Sequence, residues 1–207
     1  MLSAQYTIYC GLIMSSKSGG LVNNVKKMKT ADYIMIGIFA ALIAICSQIA
    51  IPATVPFTLQ TFAVFLSVGL LGGKRGSLSV AVYLLLGAIG LPVLAGFTGG
   101  IAHFVGPTGG YLVGFMVSAL LMWATESLLG TSLKALALSM ALALLCCYTF
   151  GTIWFVIVYA KTAEPMSIGA ALMMCVIPYI IPDLIKIALA LYLTMRLRPV
   201  IRTYSNS

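Results

Sequence analysis

The sequence predicts an all-α polytopic membrane protein with six transmembrane helices and a partial helix or loop before the last span. Three observations carry this. Of 207 residues, 61% are hydrophobic and only 8% are charged, a balance shown neither by soluble domains nor by disordered tails. Apolar runs follow one another, parted by Gly, Pro and basic residues. The basic residues also fall at the ends of those runs in a pattern that selects one orientation.

In chain order, residues 1–27 form an N-terminal extension with no assigned role, and residues 28–207 form a single membrane domain. The extension has no Lys or Arg ahead of its apolar stretch from Tyr6 to Met14, which argues against a secretory signal peptide. Met28 opens the run Met-Lys-Thr-Ala-Asp and is a second candidate start. The predicted spans lie near Asp32 to Ile51, Phe57 to Leu71, Ser77 to Leu91, Tyr111 to Leu129, Leu136 to Tyr159 and Pro182 to Leu197. A crossing takes about 20 apolar residues, so the second and third spans, at about fifteen each, are short.

With the N-terminus in the cytoplasm, Lys17, Lys26, Lys27, Lys29, Lys74, Arg75, Lys134, Arg196, Arg198 and Arg202 fall inside. Lys161 falls outside and Lys186 lies within the membrane, which accounts for all 12 Lys and Arg. That bias is what the positive-inside rule asks of an oriented protein, and it puts both termini in the cytoplasm of a multi-pass cell-membrane protein. The net charge of +8 is therefore a topology signal and not a nucleic-acid footprint. The stretch from Ile168 to Ile181 is not counted as a seventh crossing. Fourteen helical residues reach about 21 Å against a hydrocarbon core of about 30 Å, and a seventh span would send Arg196, Arg198 and Arg202 outside. Pro178 and Pro182 break its backbone, which is tolerated at membrane depth only beside protein or a cavity.

Several function classes are excluded or left without support. Cys10, Cys46, Cys146, Cys147 and Cys175 show no CxxC spacing and His103 is the sole histidine, so neither a metal site nor a redox motif is expected. Gly73-Lys74 is followed by Arg75 and has Val68 where a P-loop needs its first glycine, so the chain is not expected to hydrolyse ATP. No GxSxG or HExxH occurs and the acidic residues do not pair for carboxylate catalysis, so an enzyme is poorly supported. No cofactor is expected. A proton relay is also missing, since Glu126 near a cytoplasmic end is the only other titratable candidate beside Asp183 and Lys186.

Three segments that this topology places on the external side can build one site. The first is Val55-Pro-Phe-Thr-Leu-Gln60, where Thr58 and Gln60 either bond a ligand or serve as a helix cap and a backbone partner. The second is the uncharged stretch from Leu91 to Tyr111. Its glycines let backbone approach a surface closely, and Gly106-Pro-Thr-Gly-Gly110 can present amides to a carboxylate at a helix N-terminus. The alternative is a tight connection whose glycines serve packing. Phe97, Phe104 and Tyr111 add aromatic surface, and His103 is either a ligand donor or an interfacial hydrogen-bonding residue. The third segment holds Asp183 and Lys186 in an otherwise apolar run. Ionisable groups at membrane depth are costly and mark polar ligands or cavities, although Asp183 after Pro182 also suits a helix N-terminus that Lys186 neutralises. A carboxylate and an ammonium together can hold a neutral group with N–H donors beside a carbonyl, as in a cyclic urea. In the first span Gly37 with Ala41 and Ala40 with Ala44 form small-xxx-small pairs, which serve packing within the bundle or contact with another subunit.

Read together, Val55-Pro-Phe-Thr-Leu-Gln60, Leu70-Leu-Gly-Gly-Lys-Arg-Gly76, Gly90-Leu-Pro-Val, Gly106-Pro-Thr-Gly-Gly-Tyr-Leu-Val-Gly-Phe115 and Pro182-Asp-Leu-Ile-Lys186 resemble the BioY family from Met28 to about Arg198. That family comprises biotin-specific substrate-capture subunits, or S components, of energy-coupling-factor (ECF) transporters. The resemblance implies a six-helix protein that binds biotin in an externally accessible pocket. It also implies delivery through a coupling transmembrane subunit and two cytoplasmic ATPase subunits. It assigns Asp183 and Lys186 to the head of the ligand and Thr98, within Gly96-Phe-Thr-Gly-Gly100, to a glycine-rich binding loop; the reading of the residues adds Gly99, Gly100, Gln60, Tyr111 and Phe104 to the expected site. Some members carry an Arg directly after Gly-Gly-Tyr where this chain has Leu112, which leaves the ligand carboxylate to backbone amides or Thr98. The Ala40-xxx-Ala44 face resembles the family's contact with the coupling subunit. The alternative to an S component is a self-sufficient facilitator or secondary carrier for biotin or a related vitamin.

Overall fold

The computed structural model describes residues 28–51, 56–162 and 167–206. The N-terminal extension, Val55 and the side chains of Lys161 and Arg202 lie outside the described residues. Helix α1, Thr30–Gln48, starts where the Asp32 carboxylate accepts the Lys29 backbone N–H at 3.1 Å, placing a negative charge on the positive end of the helix. It ends in a short hairpin, β1 (Ala50–Ile51) antiparallel to β2 (Phe57–Thr58), with Ala50 opposite Thr58 and Ile51 opposite Phe57. This pair departs from the all-α expectation. Two residues per strand are too few to show a period of two in the sequence, so the segment reads as the end of an apolar run.

Helix α2, Gln60–Leu71, and helix α3, Gly73–Ala88, are separated by the single residue Gly72. Gly72 has φ 81° and ψ 165°, a region essentially reserved for glycine. After an irregular stretch, the short helix α4 (Ala102–Val105) leads into α5 (Gly109–Leu129). Helix α6 runs from Leu133 to Thr162, and Ser132 Oγ accepts the Ala135 N–H at 3.2 Å to cap its start. Ser167 likewise caps α7, Ile168–Cys175, by accepting the Ala170 N–H. A 3-10 turn at Ile177–Tyr179 then joins α7 to α8, Ile180–Asn206. The expected partial helix before the last span is thus present as α7 and the 3-10 turn. Pro182 falls in the first turn of α8, where its missing N–H costs nothing.

By length and composition, four helical stretches among the described residues can cross a membrane: Thr30–Gln48, Gly109–Leu129, Leu133–Ala160 and Ile168–Ile201. Helix α2 is apolar but has only 12 residues and α3 only 16, about 18 and 24 Å of rise. The bundle holds six principal helices, of which two fall short of a full hydrocarbon thickness. Helix α2 sits at the centre, buried from Ala63 to Leu71 against α8, α3 and α1. The most extensive interface joins α5 to α6. Ala40 is 2% exposed within the main core cluster and Ala44 is half-buried against it. The pair assigned to contact with another subunit therefore faces this chain's own bundle, because the turn of α1 directs Gly37 and Ala41 to the open side instead.

The two ends of the bundle differ in chemistry. At one end Arg75 pairs with Asp32 at 2.6 Å. There Glu126 also accepts from Arg198 at 2.6 Å and from the Gly73 N–H, tying α3, α5 and α8 together. The other end carries the hairpin, the connection between α3 and α5, and the start of α8.

Candidate functional site

At that second end lies a cavity of about 260 Å³, near the lower end of small-molecule sites, which run from roughly 300 Å³ upward. Its wall is assembled from the three segments singled out in the sequence. The hairpin and the start of α2 bring Pro56, Phe57, Thr58, Gln60 and Thr61. The α3–α5 connection brings Leu94, Ala95, Thr98, His103 and Thr108. Helix α8 brings Asp183 and Lys186. Helices α5 and α6 add Tyr111, Leu112, Phe115, Leu144, Cys147 and Tyr148, and α7 and the 3-10 turn add Cys175 and Tyr179.

Asp183 and Lys186 are 4% and 5% exposed and sit in the first two turns of α8, one helical turn apart on one face. Lys186 Nζ donates to Asp183 Oδ1 at 2.6 Å and to the Thr58 backbone oxygen at 2.6 Å. It also stands 3.8 Å from the centroid of the Phe57 ring, within cation–π range. The Tyr148 hydroxyl donates to Asp183 Oδ2 at 2.5 Å. Both charges are thus paired and hydrogen-bonded, as buried charges must be, and both still border the cavity. Phe57 stacks on Tyr179 at 5.8 Å with an interplanar angle of 14°, giving a flat aromatic wall beside the ammonium.

The remaining expected residues divide. Gln60, Thr98 and Tyr111 line the cavity. Gln60 Nε2 donates to the Tyr83 hydroxyl at 3.0 Å, and its backbone N–H donates to Thr58 Oγ1 at 3.2 Å. The N-cap position is Leu59, which has no side-chain cap, so Thr58 is not the expected helix cap but accepts the first N–H of α2 from one residue further out, while its carbonyl holds Lys186. The Tyr111 hydroxyl lies 3.4 Å from Thr152 Oγ1. Gly99, Gly100 and Phe104 are not on the wall. A Cβ at Gly99 would run into the Leu91 carbonyl, so glycine is needed there for a close backbone crossing. The Gly100 N–H donates to Gly87 O at 2.7 Å, which commits it to closing α3. Phe104 packs half-buried against the core.

The glycines ahead of α5 likewise serve packing. Gly109 lies against the Phe104 backbone and Gly110 against Trp154, and the Gly109 N–H is taken by Gly106 O at 3.0 Å. Thr108 remains on the wall beside them. Tyr148, Phe57 and Tyr179 contact the ion pair or its aromatic support without having been singled out for it. The available signal was a phenol inside the apolar run of α6. Among the described residues, no group of three His, Cys, Asp or Glu side chains could hold a metal ion.

Comparison with known proteins agrees with this architecture. The family model for the BioY family matches residues 15–203. A probable biotin transporter of Pyrococcus horikoshii is 37% identical over 172 residues, covering 83% of this chain and 98% of that relative. A biotin transporter of Thermotoga maritima is 42% identical over 163 residues, covering 78% and 92% respectively. A crystal structure at 2.1 Å of the S-component for biotin from an ECF-type ABC transporter superimposes with a TM-score of 0.73 at 28% identity, over 87% of this chain and 95% of that one. A family match across residues 15–203, with relatives aligned along almost their full lengths, means that the chain belongs to the BioY family.

Proposed function

We propose that this chain captures biotin in the cavity bounded by Asp183 and Lys186 and delivers it as the S component of an ATP-driven ECF-type transporter. The observation that carries this reading is the buried ion pair with hydrogen-bonding capacity left over, set in a wall of aromatic and apolar side chains with a few neutral polar ones. Each Asp183 oxygen accepts one bond and retains a lone pair for a ureido N–H. Lys186 uses two of its three donors on oxygen, which leaves the third, now over the Phe57 face, for the ureido carbonyl. The bicyclic ring lies against the Phe57 and Tyr179 stack, and the valeryl chain runs along Leu112, Phe115 and Leu144. The Thr108 hydroxyl donates to the carboxylate in the absence of an Arg at position 112, since the Thr98 hydroxyl already donates to Ala95 O at 2.9 Å.

In this reading six helices cross the membrane, with the short α2 and α3 spanning it where the bundle is locally thin. Both termini are cytoplasmic and the cavity opens outward. The names of the relatives, biotin transporters in both cases, and of the solved biotin S-component support the choice of cargo. The absence of a P-loop from the sequence supports dependence on separate coupling and ATPase subunits.

Two experiments test the reading. Calorimetry on the purified chain with a small vitamin panel should show saturable binding of biotin alone, and silence toward biotin would overturn the choice of cargo. Proteoliposomes with this chain alone should not accumulate biotin, whereas those also holding the coupling subunit and two ATPases should do so with ATP. Uptake by the chain alone would favour the self-sufficient carrier.

A further inference from the structure

Leu94, Ala95 and Thr98 form one wall of the cavity, yet they belong to a stretch with little regular structure. The segment closes on itself through Leu94 N–H to Thr98 O at 3.0 Å and Thr98 N–H to Leu94 O at 3.3 Å. Its tip, Phe97, has φ 56° and is 74% exposed, so burial of that ring does not hold the turn in place. Leu94, 3% exposed, anchors the first arm in the core, and the last turn of α1 holds the rest. Gln48 Nε2 donates to Leu94 O at 3.0 Å, and Gln48 Oε1 accepts the Phe97 N–H at 2.8 Å. Ser47 adds a bond from its hydroxyl to Val93 O at 2.6 Å.

One planar amide thus grips both arms of the turn, using a donor and an acceptor held in one rigid group. Gln48 does not itself border the cavity. We infer that Gln48 is a positioning residue for ligand capture, setting how long the wall formed by Leu94, Ala95 and Thr98 stays closed over its occupant. The inference rests on the reading of this cavity as the biotin site. Leu94 is fixed in the core, so the part of the wall that opens is Ala95 and Thr98, whose polar contacts must release before ligand leaves, and the effect belongs to the dissociation rate more than to the association rate.

The test measures biotin dissociation by stopped flow together with amide exchange in the ligand-free protein. Gln48→Ala should speed dissociation about tenfold, the loss of one to two net hydrogen bonds. Gln48→Glu keeps the acceptor for the Phe97 N–H but loses the donor to Leu94 O, so its rate should fall between wild type and Gln48→Ala. Ser118→Ala removes a buried bond to Ala143 O at 2.8 Å in the α5–α6 interface and should dissociate at the wild-type rate. Without ligand, the Phe97 amide should exchange faster in Gln48→Ala than in Gln48→Glu, while the Gly100 amide, bonded to Gly87 O, should not change. A wild-type dissociation rate in Gln48→Ala, or an equal rise in Ser118→Ala, would overturn the inference. Failure of the wild type to bind biotin would instead overturn the cargo assignment, and the exchange rates would still decide whether Gln48 holds the turn.

Discussion

At Asp183 the two carboxylate oxygens are shared between Lys186 and Tyr148, so removing any member leaves another buried polar group short of a partner. Asp183→Asn sets an amide donor against either the ammonium or the phenol, both of which are donors. The expected result is a loss in biotin affinity of about 1–3 kcal/mol, measured by calorimetry, and a fall in thermal stability without ligand, since breaking a buried ion pair costs about 3–5 kcal/mol. Tyr148→Phe removes one donor and no charge, and should weaken binding by about 1 kcal/mol and lower unliganded stability by about 1–3 kcal/mol, less than Asp183→Asn, because Asp183 Oδ2 is left without its donor. A wild-type affinity in both variants would take this group of side chains out of the site. Asp183 and Lys186 were legible in the sequence because charge inside an apolar run is expensive and conspicuous. Tyr148 was not, since a phenol among Leu, Cys and Thr residues reads equally well as core. Only the fold, which brings α6 beside α8, gives its hydroxyl a carboxylate.

Elements were legible to the degree that periodicity or punctuation marked them. The helix interrupted before the last span was readable from length and from Pro178, and it exists as α7 with its 3-10 turn, whereas Pro182, expected to break the backbone as well, lies inside the first turn of α8. The hairpin between α1 and α2 left no such mark, yet its β2 strand delivers Phe57 to the ammonium and the Thr58 carbonyl to Lys186. The glycine-rich stretch was readable as functional, but spacing could not separate the residue that faces the cavity, Thr98, from Gly99 and Gly100, which make the chain's own crossings possible. The break between α2 and α3 allows a sharper statement. A Cβ at Gly72 would meet only the Glu126 carboxylate at ordinary contact distance, so the penalty of Gly72→Ala comes from its dihedral angles, about 1–3 kcal/mol. Gly72 adjoins the Glu126 and Arg198 end of the bundle, remote from the cavity. Its substitution should therefore lower the melting temperature of the purified protein while leaving biotin affinity within error. A large affinity loss would mean that the α2–α3 junction communicates with the site.

Across the whole molecule, charge is segregated along the bundle axis. The end holding Lys29, Lys74, Arg75, Lys134, Arg196 and Arg198 contains the ion pairs of Arg75 with Asp32 and of Arg198 with Glu126. Two acidic residues offset only part of that basic charge, so the net charge at that end is positive. At the cavity end, among the side chains described, Asp183 and Lys186 neutralise each other. Cationic loops stay on the cytoplasmic side during insertion, so the basic end should face the cytoplasm and the cavity should open to the exterior. The energetics favour the same sense, because anionic lipid at the inner leaflet attracts each nearby Lys or Arg by about 1 kcal/mol, and inversion would forfeit several such contacts. A reporter fused after Ser207 should accordingly be active only if it is a cytoplasmic type. A small epitope placed between α6 and α7 should bind antibody on intact cells. Detection of that epitope only after permeabilisation would reverse the orientation and leave the cavity facing the wrong compartment for uptake. Reversing the bias itself, by moving the Lys74 and Arg75 charges into the α6–α7 connection, should yield a mixed population in which surface-accessible cavities, counted by biotin bound to intact cells, fall in proportion to the inverted fraction.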